Sequence, residues 1–269
     1  MLGKTSMKSL TKKRSSLAAL SIAIGLTGGM MLLLWVLRTI FKPLIPLNIM
    51  TFSVEVVMIL VMLAVNHWWL RESLNYRLQT GIQFWSVIWV GMLIVVINGG
   101  TFIAYQWINQ NSAALVYAIV VAALVGFFEE TMFRGLILKI LLRSFGLKRV
   151  RLAVGVSSLL FALSHAGHFF DHLGQTPINT TLQIGYAFCL GVYFCAVTLR
   201  TGTLWWTIVI HAVFDVQSFM LTYQGKDALA TVVTGQTLTA EIIVDLLIFI
   251  PIMIIGFVLL KPLKQAGNI

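Results

Sequence analysis

Eight apolar runs, at about 16–37, 49–69, 83–108, 113–138, 152–170, 181–199, 203–221 and 240–260, divide the 269-residue chain, with short polar stretches between them. A helix rising about 1.5 Å per residue needs about 20 apolar residues to cross the hydrocarbon core of a bilayer. No water meets the backbone there, so each run must close its own hydrogen bonds as a helix. The pattern predicts an all-α, polytopic membrane protein of about eight transmembrane helices. Composition agrees, since 59% of the residues are hydrophobic and 10% charged, against about 25% charged in an ordinary soluble domain. A soluble globular enzyme is excluded as the expectation.

A net charge of +10 would suggest nucleic acid in a soluble protein, but the positions of the basic residues give it another meaning. With the N-terminus inside, 15 of the 19 fall on the cytoplasmic side: Lys4, Lys8, Lys12, Lys13, Arg14, Arg71, Arg77, Lys139, Arg143, Lys148, Arg149, Arg151, Arg200, Lys261 and Lys264. The outer loops hold only Arg38, Lys42 and Lys226, and Arg134 lies within a span. This bias predicts both termini in the cytoplasm. The charge records orientation, so the expected partner is the lipid bilayer and no nucleic acid. The first run exceeds the core of a signal peptide and no Ala-x-Ala-like site follows it, which predicts an uncleaved first span. Cys189 and Cys195 lie inside one apolar run, a spacing that suits packing rather than a disulfide or zinc framework.

Ionisable side chains inside spans are costly, about 2.5–3.5 kcal/mol each at the bilayer centre, and they normally face protein or a water-filled cavity. The fourth run carries Glu129, Glu130 and Arg134, the fifth His165, and the seventh His211 and Asp215. Glu130 and Arg134 share a helix face at i, i+4 spacing and are expected to pair. Glu129 points elsewhere, and a carboxyl without a permanent counter-ion is suited to carry a proton in general acid or base chemistry. His211 and Asp215 also stand four apart, so the carboxylate can orient the imidazole, or both can address one site. Counted from the cytoplasmic ends of their runs, Glu129 lies about 15 Å deep, His211 about 12 Å and His165 about 20 Å. Three helices thus offer polar groups at similar depth. His168, Asp171 and His172 are expected in a wetted loop, and Glu55, His67, Glu241 and Asp245 are expected to snorkel from span ends to the interface.

The order Glu-Glu-x-x-x-Arg (Glu129, Glu130, Arg134), Phe-x-x-x-His (Phe161, His165) and His-x-x-x-Asp (His211, Asp215) resembles the signature of the CPBP family, the CAAX prenyl protease 2, bacteriocin-processing and abortive-infection group of intramembrane proteases. The resemblance runs over 113–221 and implies a catalytic core there, preceded by three spans in 1–112 and followed by an outer loop and the last span in 222–269. It implies an intramembrane endopeptidase in which Glu129, His165, His211 and Asp215 are catalytic and Glu130 and Arg134 support them. Many members have Asn where this chain has Asp215. No His-Glu-x-x-His, Gly-x-Gly-Asp or Gly-x-Ser-Gly motif points to another class of intramembrane protease.

Two forms of the chemistry stay open at this point. Glu129 can activate a water with help from His165 while His211 and Asp215 serve the oxyanion. Alternatively Glu129, His165, His211 and Asp215 can hold a divalent metal such as zinc. The expected substrate is a membrane peptide or protein segment in a bacterial cytoplasmic membrane. The rival expectations are an inactive scaffold, immunity or regulatory protein of the same family, and a proton-coupled transporter.

Overall fold

The computed structural model describes residues 15–77, 85, 87–94, 96, 111–170, 176–223 and 235–261, and among these there is helix and no strand. Helix α1 (Ser16–Phe41) starts at Ser15, whose hydroxyl accepts the amide of Ala18, a side-chain cap for one of the free amides of the first turn. Helix α2 (Leu47–Val65) closes with a π-helical turn (Asn66–Leu70), and Arg71 turns the chain away at φ 53°. Helix α3 (Ser112–Glu130) continues without a break through a π-helical stretch (Thr131–Ile137) into α4 (Leu138–Phe145). Helix α5 (Val150–Ser164) ends in a 3-10 turn (His165–Phe169). Helices α6 (Pro177–Thr201), α7 (Trp205–Tyr223) and α8 (Gly235–Leu259) complete the set.

Among the described residues six helical stretches are long and apolar enough to cross a membrane: Ser16–Phe41, Leu47–Leu70, Ser112–Phe145, Leu147–Phe169, Pro177–Thr201 and Ile242–Leu259. The apolar part of α7 is shorter, Trp205–Val216. Most of the expected run 83–108, Gly99 and Gly100 included, lies outside the described residues. Its described part is helical, and Val87, Ile88, Val90 and Ile94 pack on Leu190, Tyr193, Phe194 and Val197 of α6. The expected count of about eight is therefore approximate. The fourth run also goes on to Phe145, past the expected end at 138, because the amphipathic stretch Leu138–Phe145 keeps Leu138, Ile140 and Leu141 inside while its basic residues face outward or pair.

Helices α3 and α7 make the most extensive pairing, and α6 packs between α5 and α8. The closeness of α3 and α7 depends on Gly126. A Cβ there would lie 3.0 Å from the carbonyl oxygen of Ile208 and 3.3 Å from the amide nitrogen of Ala212. In lipid, where apolar surface alone gives helices little reason to associate, such small residues let backbones approach and pack. At the Leu70 end of α2, residues 71–77 are tied under the bundle: Glu72 pairs with Arg143 at 2.5 Å, Lys139 donates to the carbonyl of Ser73, and the carbonyl of Asn75 accepts the amide of Leu204 at 3.0 Å.

Candidate functional site

The site is assembled on the last turn of α3, the π-helical stretch, the end of α5 and the middle of α7. Glu130 and Arg134 face each other as their spacing requires, Nη1 donating to Oε1 at 2.8 Å, and both are buried. The same oxygen also accepts from Nδ1 of His211 at 2.8 Å. Glu130 is therefore a bridge between two helices, whereas the sequence showed it only as a partner for Arg134. Gly126, one turn earlier on α3, sets the approach that makes this bridge short.

The guanidinium carbon of Arg134 sits 4.2 Å from the ring centroid of Phe161 and 5.3 Å from that of Phe194. Its Nε and Nη2 have no hydrogen-bond partner among the described residues, so the aromatic faces carry the rest of its charge, an interaction worth about 2 kcal/mol when desolvated. Phe161 also holds both histidines edge to face, His165 at 5.1 Å and His211 at 5.8 Å between centroids. One aromatic ring thus fixes a cation and two imidazoles. The motif marked Phe161 as the residue before His165, but nothing in the sequence showed its contact with Arg134 or His211.

With Nδ1 committed to Glu130, His211 turns Nε2 toward Oε2 of Glu129 and Oδ2 of Asp215, each 3.4 Å away. Glu129 therefore has a partner that its position on α3 alone did not reveal. The contact is one of charge, since Oε2 of Glu129 makes no aligned hydrogen bond. Glu129 and Asp215 keep some exposure, 19% and 22% of their side chains, against none for Glu130. Glu129 and Asp215 are thus the less enclosed of the three acids, although Oε2 of Glu129 is itself buried. His165 lies at the α5 end, where its Nδ1 is 3.0 Å from the carbonyl of Phe161. A carbonyl only accepts, so Nδ1 carries the proton and Nε2 is left with its lone pair.

The π-helical stretch is supported from two sides. Ser157 of α5 donates to the carbonyl of Phe133 at 2.9 Å, and Thr131 is 3.0 Å from the hydroxyl of Tyr76, whose ring stacks on Phe127. Neither Ser157 nor Tyr76 stood out in the sequence, because a hydroxyl that serves a neighbouring helix has no periodic signature.

Several expected positions differ. Glu55 does not snorkel: it lies within α2 and is 6% exposed, because the apolar run hides which face of the helix meets α3. Asp245 is half-buried well inside α8, whereas His67 is exposed at the end of α2. His168 stacks on His165 at 6.2 Å in the 3-10 turn and is half-buried rather than in a wetted loop. Asp171, His172 and the side chain of Glu241 lie outside the described residues. Among the described residues no three His, Cys, Asp or Glu side chains gather as metal ligands, while His211, with Nδ1 bonded to Glu130, turns its other ring nitrogen to Glu129 and Asp215.

Residues 109–217 match a family model described as Type II CAAX prenyl endopeptidase Rce1-like. This bears out the CPBP resemblance over the segment that holds Glu129, Glu130, Arg134, His165, His211 and Asp215. No curated protein and no solved structure matches the chain. With its apolar helices and this family match, the chain is an integral membrane protein.

Proposed function

We propose that the chain is an intramembrane endopeptidase of the type II CAAX protease kind, which hydrolyses a peptide bond with a water activated by Glu129. The observation that supports this reading is the meeting of Glu129, His211 and Asp215 from two helices, braced by the buried Glu130 and Arg134.

A water between Glu129 and the free Nε2 of His165 loses its proton to Glu129 and attacks the carbonyl carbon of the scissile bond. The carbonyl oxygen becomes an oxyanion. His211 answers it when doubly protonated, donating from Nε2 while Nδ1 stays with Glu130, and Asp215 keeps the ring in line. Glu129 then returns the proton to the leaving nitrogen as the C–N bond breaks, and the products are an acid and an amine. Glu130 and Arg134 touch no reacting atom. They hold His211 so that little reorganisation is needed as charge develops.

The substrate is a peptide or membrane-protein segment, and the membrane is the bacterial cytoplasmic membrane with both chain termini inside. Prenylated CAAX proteins are not expected in such a membrane. The test is cleavage of a fluorogenic membrane peptide by purified protein in liposomes. Turnover by the wild type and its loss in Glu129→Gln are the expected results, and equal turnover by the two would overturn the assignment. A phenotype that survives Glu129→Gln but not deletion of the chain would favour an inactive scaffold or immunity protein instead.

A further inference from the structure

At the end of the bundle where the basic residues gather, the start of α5 and the end of α8 border an open groove of about 420 Å³. Arg151, in the first turn of α5, lines one side, and Ile254, Phe257, Val258 and Lys261 line the other. The four residues from α8 are spaced as i, i+3, i+4 and i+7, so they share one face of the helix. Ile254 and Val258 are exposed there, and Phe257 is half-buried against the core. An apolar stripe thus runs along α8 and ends at the ammonium-bearing Lys261, with a guanidinium across the groove from it. Helix α6 lies between α5 and α8, and a Cβ at Gly256 would come within 3.0 Å of the backbone of Tyr193 in α6. The wall that bears the stripe is therefore seated by close backbone packing.

The charge of the groove has no evident counterpart in the protein. Arg151 and Lys261 are both exposed, and the described acid at this end of the bundle, Glu72, is already held by Arg143. The sequence that adjoins this end, 1–14 and 262–269, adds Lys4, Lys8, Lys12, Lys13, Arg14 and Lys264 and no Asp or Glu. What fills the groove must bring negative charge to its end and an apolar chain to its wall. A free phosphate would leave the wall unused, and a lipid without an acidic headgroup would leave the cations unused.

We propose that the groove holds an anionic phospholipid, its phosphate between Arg151 and Lys261 and an acyl chain along Ile254, Phe257 and Val258. Basic pockets between transmembrane helices are where acidic headgroups bind, and an arginine presents a planar fork that matches phosphate oxygens. Such a lipid would tie the start of α5 to the end of α8, the span of which only 11% is buried by the rest of the chain. The site is separate from Glu129 and His211, and the proposal does not depend on the endopeptidase reading.

The experiment takes full-length protein from nanodiscs of mixed phosphatidylglycerol and phosphatidylcholine into mild detergent and weighs the retained lipid by native mass spectrometry. One phosphatidylglycerol per chain should be retained in preference to phosphatidylcholine by about 25-fold, about fivefold for each cation. Arg151→Gln with Lys261→Gln should remove the preference. Arg71→Gln with Arg77→Gln, an equal loss of charge at exposed residues that do not line the groove, should keep it. Val258→Trp, which fills the apolar wall and spares both cations, should lower retention, and millimolar glycerol 3-phosphate should not displace the lipid. The melting temperatures of all three variants in phosphatidylcholine nanodiscs should match the wild type, so that a lost lipid is not a lost fold. Equal retention of the two lipids by the wild type would overturn the proposal. So would an equal loss in the two double variants, which would reduce the effect to a diffuse attraction between a basic surface and an acidic membrane. Displacement by glycerol 3-phosphate, with no effect of Val258→Trp, would overturn it in favour of a site for a free phosphate.

Discussion

The seven residues Thr131–Ile137 and the eighteen residues Ile242–Leu259 of α8 are opposite solutions to life in a bilayer. Every residue of the first is buried, and one of them is an arginine with 1% exposure. The second is the most apolar of the spans, yet only 11% of it is buried, against 61% for the less apolar α6. In water the apolar helix would be the interior one. In a membrane the lipid is as apolar as any core, so hydrophobicity does not sort inside from outside, and polar and small residues do. The difference marks where sequence change should be felt.

The contrast would be sharpened first by Glu129→Gln, which removes the proton carrier and should lower peptide cleavage about 10³-fold without changing the melting temperature. Next comes Glu130→Ala. It leaves Arg134 buried without its counter-charge and His211 without its brace, a loss of about 3–5 kcal/mol for a broken buried pair. Thermal unfolding in detergent should show it, with activity lost as well. Smaller is Gly126→Ala, whose methyl would press on the backbone of α7 at 3.0 Å. It should cost about 1–3 kcal/mol and reduce cleavage by moving His211 off Glu130, while Gly28→Ala in α1, where nothing lies within 4 Å, should do neither. Smallest is Leu247→Ala in α8, at a side chain 70% exposed, which should stay within about 0.5 kcal/mol of wild type and keep full activity. If Leu247→Ala proved as damaging as Gly126→Ala, α8 would be a contact surface and the comparison would fail.

The polar residues of the site were legible because each interrupts an apolar run, and such interruptions are too costly to occur without a reason. Spacing alone predicted the pairing of Glu130 with Arg134, since it lies within one helix. The contacts between helices were not legible. That Glu130 also binds His211, and that Phe161 serves Arg134 and two histidines together, depends on how closely α3, α5 and α7 approach, which a hydropathy profile does not contain. Gly126 was the available signal, but one glycine in an apolar run looks like any other until its neighbour across the interface is known. Glu55 was misjudged for a related reason. Distance from the edge of a run measures depth, whereas burial depends on the face of the helix, and apolar residues all round α2 conceal that face. The end of the fourth run was misplaced because Leu138–Phe145 sets Lys139, Arg143 and Ser144 among five apolar residues, a pattern that hydropathy averages away.

The π-helical stretch has a consequence for how this helix tolerates insertion and deletion. Each residue in a wider turn advances the helix by less than the 100° of an α-helix, so Thr131–Ile137 acts as an angular offset between the two halves of one continuous rod. Upstream the rod aims Glu129 and Glu130 at α7, and downstream it aims Arg143 at Glu72. Removing a single residue within the stretch would let it relax to ordinary α geometry and leave the two halves facing nearly as they do now, because the wider turn holds about one extra residue in the same rotation. The same deletion in the ordinary α-helix on either side would swing one half by about 100° relative to the other, uncoupling the catalytic face from the anchored end while every remaining side chain kept its identity.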